Sequence, residues 1–157
     1  MKLILCRDNS FGSCLLRLAM WCRWSHSAIY DPATGLVYES TMWGGGVRAT
    51  WFHDWIGAYP DCELRATGIT DSVGARAWLD AQVGKPYDWS ALLGLLMHRE
   101  WQNADRWFCS ELVEACVSKF GRARFRAEAS RVTPRHQDML ADWDLGAVPP
   151  GGQNSHG

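Results

Sequence analysis

The sequence predicts one α+β domain in which an antiparallel sheet packs against helices. The chain has 157 residues, which is a usual length for a single domain and enough to bury a core. Strand-like segments occupy the first half and helix-like segments the second, and such runs favour an antiparallel sheet over alternating βα units. Hydrophobic residues make up 47% and charged residues 21%, which argues against a disordered chain. We expect the domain to span residues 1–145 and a flexible tail to span residues 146–157.

Five strand-like segments dominate the first half of the chain. A helix interrupts them at Gly12–Cys22, where apolar residues recur at helical spacing and Ser13 can cap the first turn. Pro32 and Gly35 occupy typical turn positions between the second and third strands. The segment Trp51–Tyr59 is rich in aromatic residues and fits neither the helical nor the strand period. The predicted strands are Lys2–Cys6, Ser25–Tyr30, Leu36–Ser40, Val47–Phe52 and Cys62–Ile69.

Helical patterns occupy the second half. Asp71 or Ser72 caps the first of these helices, which Gly84 ends, and Asp88 caps the second. The third has the clearest apolar repeat and stops at Gly121. The predicted spans are residues 73–83, Trp89–His98, Trp107–Phe120 and residues 134–141.

The six cysteines are expected to be reduced thiols in a cytoplasmic protein. Only four apolar residues separate Lys2 from Arg7, which is too short for the apolar core of a secretory signal. The cysteine spacings contain no Cys-x-x-Cys pair, so neither a zinc knuckle nor a thioredoxin-type motif is predicted. No apolar run approaches the ~20 residues that a membrane span needs. A reducing compartment is the consistent assignment.

Cys109 is the candidate nucleophile, because it lies near the start of the strongest predicted helix. The unpaired N–H groups and the dipole of a helix N-terminus stabilise a thiolate and can receive a developing oxyanion. Nucleophilic cysteine chemistry also needs a base and a group that orients the base. A structural thiol is the alternative for Cys109. It is the expected state of Cys116, which lies among apolar residues of the helix interior.

His26 is the candidate base and Glu39 the candidate orienting group. His26 interrupts a strand-like segment, and Glu39 follows apolar strand residues, where burying an unpaired carboxylate is costly. If the intervening turn is a four-residue loop, the two residues are direct cross-strand neighbours about 5 Å apart. A five-residue loop pairs His26 with Ser40 instead. The alternatives are a structural histidine and a solvent-exposed glutamate.

Four short motifs follow one another between residues 2 and 140. They are Trp24-Ser25-His26-Ser27-Ala28-Ile29, Glu39 followed by Gly44-Gly45-Gly46-Val47, Gly84-Lys85-Pro86-Tyr87-Asp88, and Trp107-Phe108-Cys109-Ser110-Glu111-Leu112. In this order they resemble the permuted NlpC/P60 papain-like cysteine hydrolases, in the YiiX/YebB-like branch that includes small phage and prophage proteins. The histidine precedes the cysteine here, as in the permuted branch, whereas the cysteine comes first in ordinary papain-like chains.

This resemblance implies a fold and a chemistry. The implied fold is permuted papain-like, with five or six antiparallel strands packed on helices and the nucleophile at a helix start. Cys109 is implied as nucleophile, His26 as base and Glu39 as the third member of the triad. The reaction is hydrolysis or transfer at an amide or ester carbonyl through a thioester intermediate. A cysteine peptidase acting on cell-wall peptides is the leading prediction. A lipid-directed thioesterase, phospholipase or acyltransferase is the second, and a non-catalytic Trp-rich binding module is the third.

Three aromatic residues are predicted to line the substrate site. Tyr87 lies in one of the family motifs, and Trp24 and Trp107 flank His26 and Cys109 in sequence. Core packing is the alternative for both tryptophans. Ten tryptophans exceed what a core of this size usually holds, so some are expected at a binding surface.

The charge of the chain and the spacing of its histidines limit which other partners, metals or cofactors are expected. The net charge of −1 argues against nucleic acid. Residues 119–135 carry six basic side chains and one acidic one, which form either a solvated face or a patch for an anionic polymer or membrane. The remaining histidines lack a ligand-like spacing with carboxylates, so no metal and no cofactor are predicted. The sequence predicts no oligomeric state.

Overall fold

A five-stranded antiparallel sheet forms the centre of the protein. The structure is a computed structural model. It describes residues 1–7, 13–14, 17–18, 21–42, 44–59, 61–89, 106–125 and 132–140. Within them the strands are β1 (Lys2–Arg7), β2 (His26–Asp31), β3 (Leu36–Thr41), β4 (Gly46–Trp51) and β5 (Asp61–Ala66). Their order is β4-β3-β2-β1-β5, and every neighbouring pair is antiparallel. The predicted α+β class is confirmed.

The longer described helices follow the strands, as the sequence indicates, whereas a short helix lies between β4 and β5. In the described parts of the chain they are α1 (Phe52–Trp55), α2 (Ser72–Gln82), α3 (Cys109–Phe120) and α4 (Pro134–Leu140). α1 continues into a 3-10 turn at Ile56–Ala58, so the aromatic segment that fitted neither period is largely helical. Asp71 caps α2 by accepting a hydrogen bond from the N–H of Gly74 at 2.9 Å.

Other predicted elements lie largely outside the described residues. Within the helix predicted at Gly12–Cys22, the structure describes residues 13–14 and 17–18, and these residues are helical. Of the helix predicted at Trp89–His98, the structure describes Trp89. The predicted tail, residues 146–157, also lies outside the described residues, so the domain boundary stays a prediction.

Both faces of the sheet are covered. α2 and α3 pack on one face and form the main core with it. Trp55 of α1 covers the other face in a second, smaller cluster. Successive residues of β1 divide between the two clusters because side chains of a strand alternate between faces. The main core contains Leu3, Leu5, Trp24, Ile29, Tyr38, Val47, Ala75, Leu79, Leu112, Val113, Cys116 and Val117, and the second cluster contains Ile4, Cys6, Ala28, Val37 and Trp55.

The hairpin between β2 and β3 differs from the prediction in its register. Asp31 pairs with Leu36, so the predicted direct pairing of His26 with Glu39 is wrong by two residues. Asp31 stays in the strand because its side chain accepts hydrogen bonds from the turn, at 3.2 Å from the N–H of Ala33. A shift of two residues keeps every side chain on its face. Glu39 therefore shares a face with His26 and lies on the diagonal, which a long side chain can span.

Gly46 brings β4 close to the segment that follows α2. Its φ is +130°, and a Cβ atom there would overlap the carbonyl oxygen of Lys85. The same carbonyl accepts a hydrogen bond from the N–H of Val47 at 2.8 Å, and the N–H of Gly84 donates to the Val47 carbonyl at 2.9 Å. The glycine thus allows a backbone contact that joins β4 to the chain leading towards Tyr87.

We predict that Gly46→Ala lowers the free energy of unfolding by roughly 2–4 kcal/mol, because both the backbone angle and the close carbonyl oppose a side chain. Urea denaturation followed by tryptophan fluorescence measures the change. Gly57→Ala is the matched control, since a Cβ there would meet no atom within 4 Å. We expect the control to change stability by less than about 0.5 kcal/mol. Equal losses in the two variants would contradict this account.

Candidate active site

Cys109 is the first residue of α3 because the chain before it is extended. Trp107 forms a parallel bridge with Tyr87, and Phe108 has φ −82° and ψ 155°, so α3 starts two residues after the predicted start. The N–H of Phe108 donates to the Glu111 carboxylate at 3.3 Å. The Phe108 side chain has no acceptor and caps none of the N–H groups of the first turn. These groups are therefore available to a negative charge at the helix start.

His26 is the first residue of β2 and lies at the end of the sheet, opposite Cys6 of β1. Its Nε2 atom is 2.6 Å from Oε2 of Glu39. The imidazole stacks on the Tyr59 ring, with 5.4 Å between centroids and 7° between planes. The side chain of Cys109 lies near enough to the ring to raise the pKa of His26. Since Glu39 occupies Nε2, Nδ1 is the ring nitrogen left for the thiol.

Glu39 is a fully buried carboxylate with three donors around it. Arg48 donates from Nε and Nη2 to Oε1, at 2.8 and 2.6 Å. Tyr59 donates its hydroxyl to Oε2 at 3.1 Å, and His26 bonds to the same oxygen. Both oxygens are thus engaged, which compensates the removal of the charge from water.

Burial and partners act in opposite directions on the two titrating groups. Burial lowers the pKa of His26, but hydrogen bonds and charges from Cys109 and Glu39 outweigh it and raise this pKa to about 10. Burial raises the pKa of Glu39, but His26 and Arg48 outweigh it and lower this pKa to about 2. At neutral pH the site therefore favours a carboxylate at Glu39 and an imidazolium at His26.

Arg48 and Tyr59 belong to the site but were not predicted from the sequence. Arg48 lies directly opposite Glu39 in the β3–β4 ladder. The glycine-rich segment at residues 44–46 signals a hairpin, but a pairing centred on it places Glu39 opposite Trp51, and only the observed pairing of Thr41 with Gly46 brings the acid and the base together. Tyr59 had no such signal, because it follows the 3-10 turn and reaches the site only through tertiary packing, with its ring stacked on Trp55 at 4.4 Å.

The three predicted aromatic residues lie in different surroundings. Tyr87 is buried in a small cluster with Phe108 and Cys109, and burial followed by the charge of Cys109 raises the pKa of its phenol. Trp24 is 2% exposed, belongs to the main core and donates from Nε1 to Asp138 at 3.1 Å. The structure therefore brings Tyr87 against the candidate nucleophile and buries Trp24 in the core.

Trp107 is partly buried and packs against the main core. Its Nε1 atom donates to Gln82 at 3.2 Å, and its ring meets Trp78 edge to face. The carbonyl of Trp107 accepts a hydrogen bond from the Ser40 hydroxyl at 2.6 Å. Trp107 therefore joins the start of α3 to β3, and the substrate-binding roles of all three aromatic residues stay predictions.

All six cysteines lie in the described residues, and no disulfide joins any two of them. Their reduced state in the cell stays a prediction. No helix within the described ranges is long and apolar enough to cross a membrane. In the same ranges, no three His, Cys, Asp or Glu side chains cluster as metal ligands would.

The fold resembles that of a solved protein. The crystal structure of metalloprotein yiiX from Escherichia coli O157:H7, described as DUF1105, matches with a TM-score of 0.55 and 24% sequence identity. The match covers 76% of this chain and 64% of that chain, so this chain accounts for under two thirds of yiiX. The chain matches no protein-family model and no curated protein. The likeness establishes a shared α+β fold and leaves the chemistry to be argued from the site.

We predict that Glu39→Gln changes the acid stability of the protein. A carboxyl group whose pKa is lowered from 4.5 to about 2 on folding stabilises the native state above pH 4.5. This contribution is lost as the pH falls towards 2. The difference in unfolding free energy between wild type and Glu39→Gln should therefore shrink from pH 4.5 to pH 2. Urea titrations at several pH values measure it, and a constant difference would show that Glu39 is not ionised in the native site.

Proposed function

We propose that this protein is a cysteine hydrolase that cleaves an amide bond with Cys109 as nucleophile, His26 as base and Glu39 as orienting group. The observation that carries the proposal is the imidazole of His26, which bonds to Glu39 through Nε2 at 2.6 Å and whose pKa is raised by the nearby side chain of Cys109. A base held between a thiol and a carboxylate is the arrangement that nucleophilic cysteine catalysis requires.

The proposed reaction begins from an ion pair of Cys109 thiolate and His26 imidazolium, which forms when the thiol proton passes to Nδ1 of His26. The thiolate attacks the carbonyl carbon, and the resulting oxyanion is stabilised by N–H groups at the start of α3. The imidazolium then gives its proton to the leaving amine, the carbon–nitrogen bond breaks and a thioester remains. His26 next removes a proton from water, the hydroxide attacks the thioester, and the returning proton restores the thiol as the acid product leaves.

Glu39 has two tasks in this scheme. Its hydrogen bond to Nε2 fixes the ring orientation and keeps Nδ1 towards the thiol. Its charge stabilises the imidazolium that forms when the thiol loses its proton. Arg48 and Tyr59 hold the carboxylate itself in place, through the three hydrogen bonds they donate to it.

The permuted papain-like fold belongs to the same proposal. The order of His26 before Cys109, the helix that begins at the cysteine and the histidine at the start of a strand support it. The fold likeness to yiiX supports a YiiX-like assignment within it. Cell-wall peptides are the proposed substrate class, because they are the substrates implied by the NlpC/P60 resemblance.

yiiX is described as a metalloprotein, but the donor set of the present site does not fit a metal centre. Arg48 saturates Oε1 of Glu39, and Oε2 already accepts from His26 and Tyr59. The thiol of Cys109 and Nδ1 of His26 would be the two remaining donors, whereas a catalytic zinc takes three protein ligands. The proposed reaction therefore uses no metal.

Product analysis tests the reaction directly. The protein is incubated with peptidoglycan fragments and, separately, with phospholipids, and the products are identified by mass spectrometry. We expect new amine and carboxyl termini in the peptide sample only, together with a transient mass increase of the protein that corresponds to the acyl group on Cys109. Release of fatty acids from the phospholipids would favour the lipid-directed alternative.

We predict a characteristic order among variants of the three residues. Cys109→Ala should abolish turnover, and His26→Ala should be nearly as severe because an unassisted thiol is only a few per cent ionised at neutral pH. Glu39→Gln retains an acceptor but loses the charge, so we expect activity reduced roughly ten- to a hundredfold. The Cys109/His26 double variant should be no worse than Cys109→Ala alone, because residues that act as a unit are not additive. Full activity of His26→Ala would show that the base is misassigned.

We predict that His26 controls the alkylation of Cys109. Iodoacetamide reacts with thiolates, and transfer of the proton to His26 supplies one. At pH 6, His26→Ala should slow labelling of Cys109 at least about tenfold, which peptide mass spectrometry measures site by site. The exposed Cys14 is the control within the same molecule, and its labelling rate should not change. Equal rates at Cys109 in both proteins would contradict the proposed proton transfer.

A further inference from the structure

A cavity of about 400 Å³ opens beside the end of the sheet that carries His26. Its walls include three arginines, Arg7, Arg17 and Arg23, and the apolar side chains of Leu18 and Trp21. Discrete ligands usually bind in concave sites of roughly 300–1,000 Å³ that combine apolar walls with a few polar groups. The size and lining of the cavity therefore fit a short segment of a ligand.

The charge of the cavity is positive. Asp61 pairs with Arg7 at 2.7 Å and with Arg23 at 3.1 Å, so one carboxylate is shared between two guanidinium groups. Arg17 donates from Nη2 to Sγ of Cys14, a weak acceptor, at 3.1 Å, and no carboxylate of the described residues forms an ion pair with it. Arg17 thus retains donors for an anion.

Trp21 has a backbone conformation that its side chain disfavours. Its N–H donates to the carbonyl of Leu18, and the N–H of Cys22 donates to the carbonyl of Arg17, a pair of bonds that ends a helix in a left-handed residue. Glycine usually occupies this position, yet Trp21 has φ +48° there. The side chain is 84% exposed, so core packing does not offset the cost of this backbone conformation. Strain of this kind is characteristic of residues that contact ligands.

Chain geometry places the cavity close to the candidate active site. Arg7 directly follows Cys6, the register partner of His26. Arg23 precedes His26 by three residues, so their Cα atoms are within about 11 Å of each other. An extended peptide advances about 3.3 Å per residue, so this distance corresponds to about three residues of substrate.

We propose that this cavity is a specificity subsite for a carboxylate of the peptide substrate, within about three residues of the scissile amide. This inference rests on the proposed hydrolase function. Arg17 binds the carboxylate with its planar fork of donors, while Trp21 and Leu18 cover the neighbouring apolar part of the peptide. Arg23 of the same wall lies within about 11 Å of His26, and this closeness to the candidate active site favours a peptide substrate over a membrane surface.

Binding rather than turnover tests the subsite. The probes are a fluorescein-labelled heptapeptide of alanines with one central glutamate and the same peptide with glutamine, measured by fluorescence anisotropy on Cys109→Ala protein. We expect the glutamate peptide to bind about tenfold more tightly, because a charge-assisted hydrogen bond is lost with glutamine. Adding Arg17→Gln should remove the difference. Arg122→Gln, which removes an exposed arginine elsewhere, should preserve it.

A second variant separates ligand contact from folding. Trp21→Gly relieves the left-handed strain, so its urea midpoint should equal or exceed that of the parent protein while the glutamate peptide binds at least about fivefold more weakly. Trp51→Ala, which removes another exposed tryptophan, should bind that peptide normally. Loss of stability in Trp21→Gly together with unchanged peptide binding would assign Trp21 to the fold and overturn its role in the subsite.

The outcomes distinguish the subsite from the hydrolase. Equal affinities for the two peptides, or no effect of Arg17→Gln, overturn the subsite whatever the catalytic result. A different result is tighter binding of the glutamate peptide while the wild type cleaves no peptide. That result would support the subsite and contradict the hydrolase function. Tighter binding to phosphatidylglycerol vesicles than to the glutamate peptide, lost in Arg17→Gln, overturns the peptide assignment in favour of a membrane surface.

Discussion

The buried carboxylate of Glu39 is the constraint on which the candidate site depends. A charge removed from water must be matched by donors, or the group takes up a proton. Here the donors come from three separate parts of the chain: Arg48 on β4, His26 on β2, and Tyr59 after the 3-10 turn. Satisfying one carboxylate therefore fixes two strands and a connecting segment relative to β3, and it leaves the imidazole in one orientation.

The position of the thiol depends on a different set of contacts. The extended chain before α3 bridges to Tyr87, and the carbonyl of Trp107 accepts a hydrogen bond from Ser40 on β3. Both contacts hold the start of α3 at the end of the sheet. Cys109 belongs to the helix layer, whereas Glu39 faces the layer that contains Trp55 and Tyr59. His26, as the first residue of its strand, contacts Glu39 and Tyr59, and the side chain of Cys109 raises its pKa.

Local sequence patterns predicted most of the fold and the residue types of the site, but not their supporting contacts. The α3 repeat and the Asp71 cap depend on residues close in sequence, so both were predicted. The face shared by His26 and Glu39 was right although the register was wrong, because a two-residue shift preserves strand parity. The start of α3 at Cys109 and the roles of Arg48 and Tyr59 depend on contacts between distant segments, which periodicity does not encode.

The balance of effects on His26 also suggests how one group serves as base and then as acid in the proposed reaction. Burial lowers its pKa, and the hydrogen bonds and charges of Cys109 and Glu39 raise it above the ordinary value. While the thiolate is present, the imidazolium is therefore favoured. Once the thiolate sulfur has bonded to the carbonyl carbon in the tetrahedral intermediate, the charge of Cys109 disappears and burial is opposed by Glu39 alone. The pKa of His26 then falls, which promotes donation of the proton to the leaving amine at the step that needs it. Arg48 adds to this effect, because it shares the charge of Glu39 and so limits how strongly that carboxylate retains the proton.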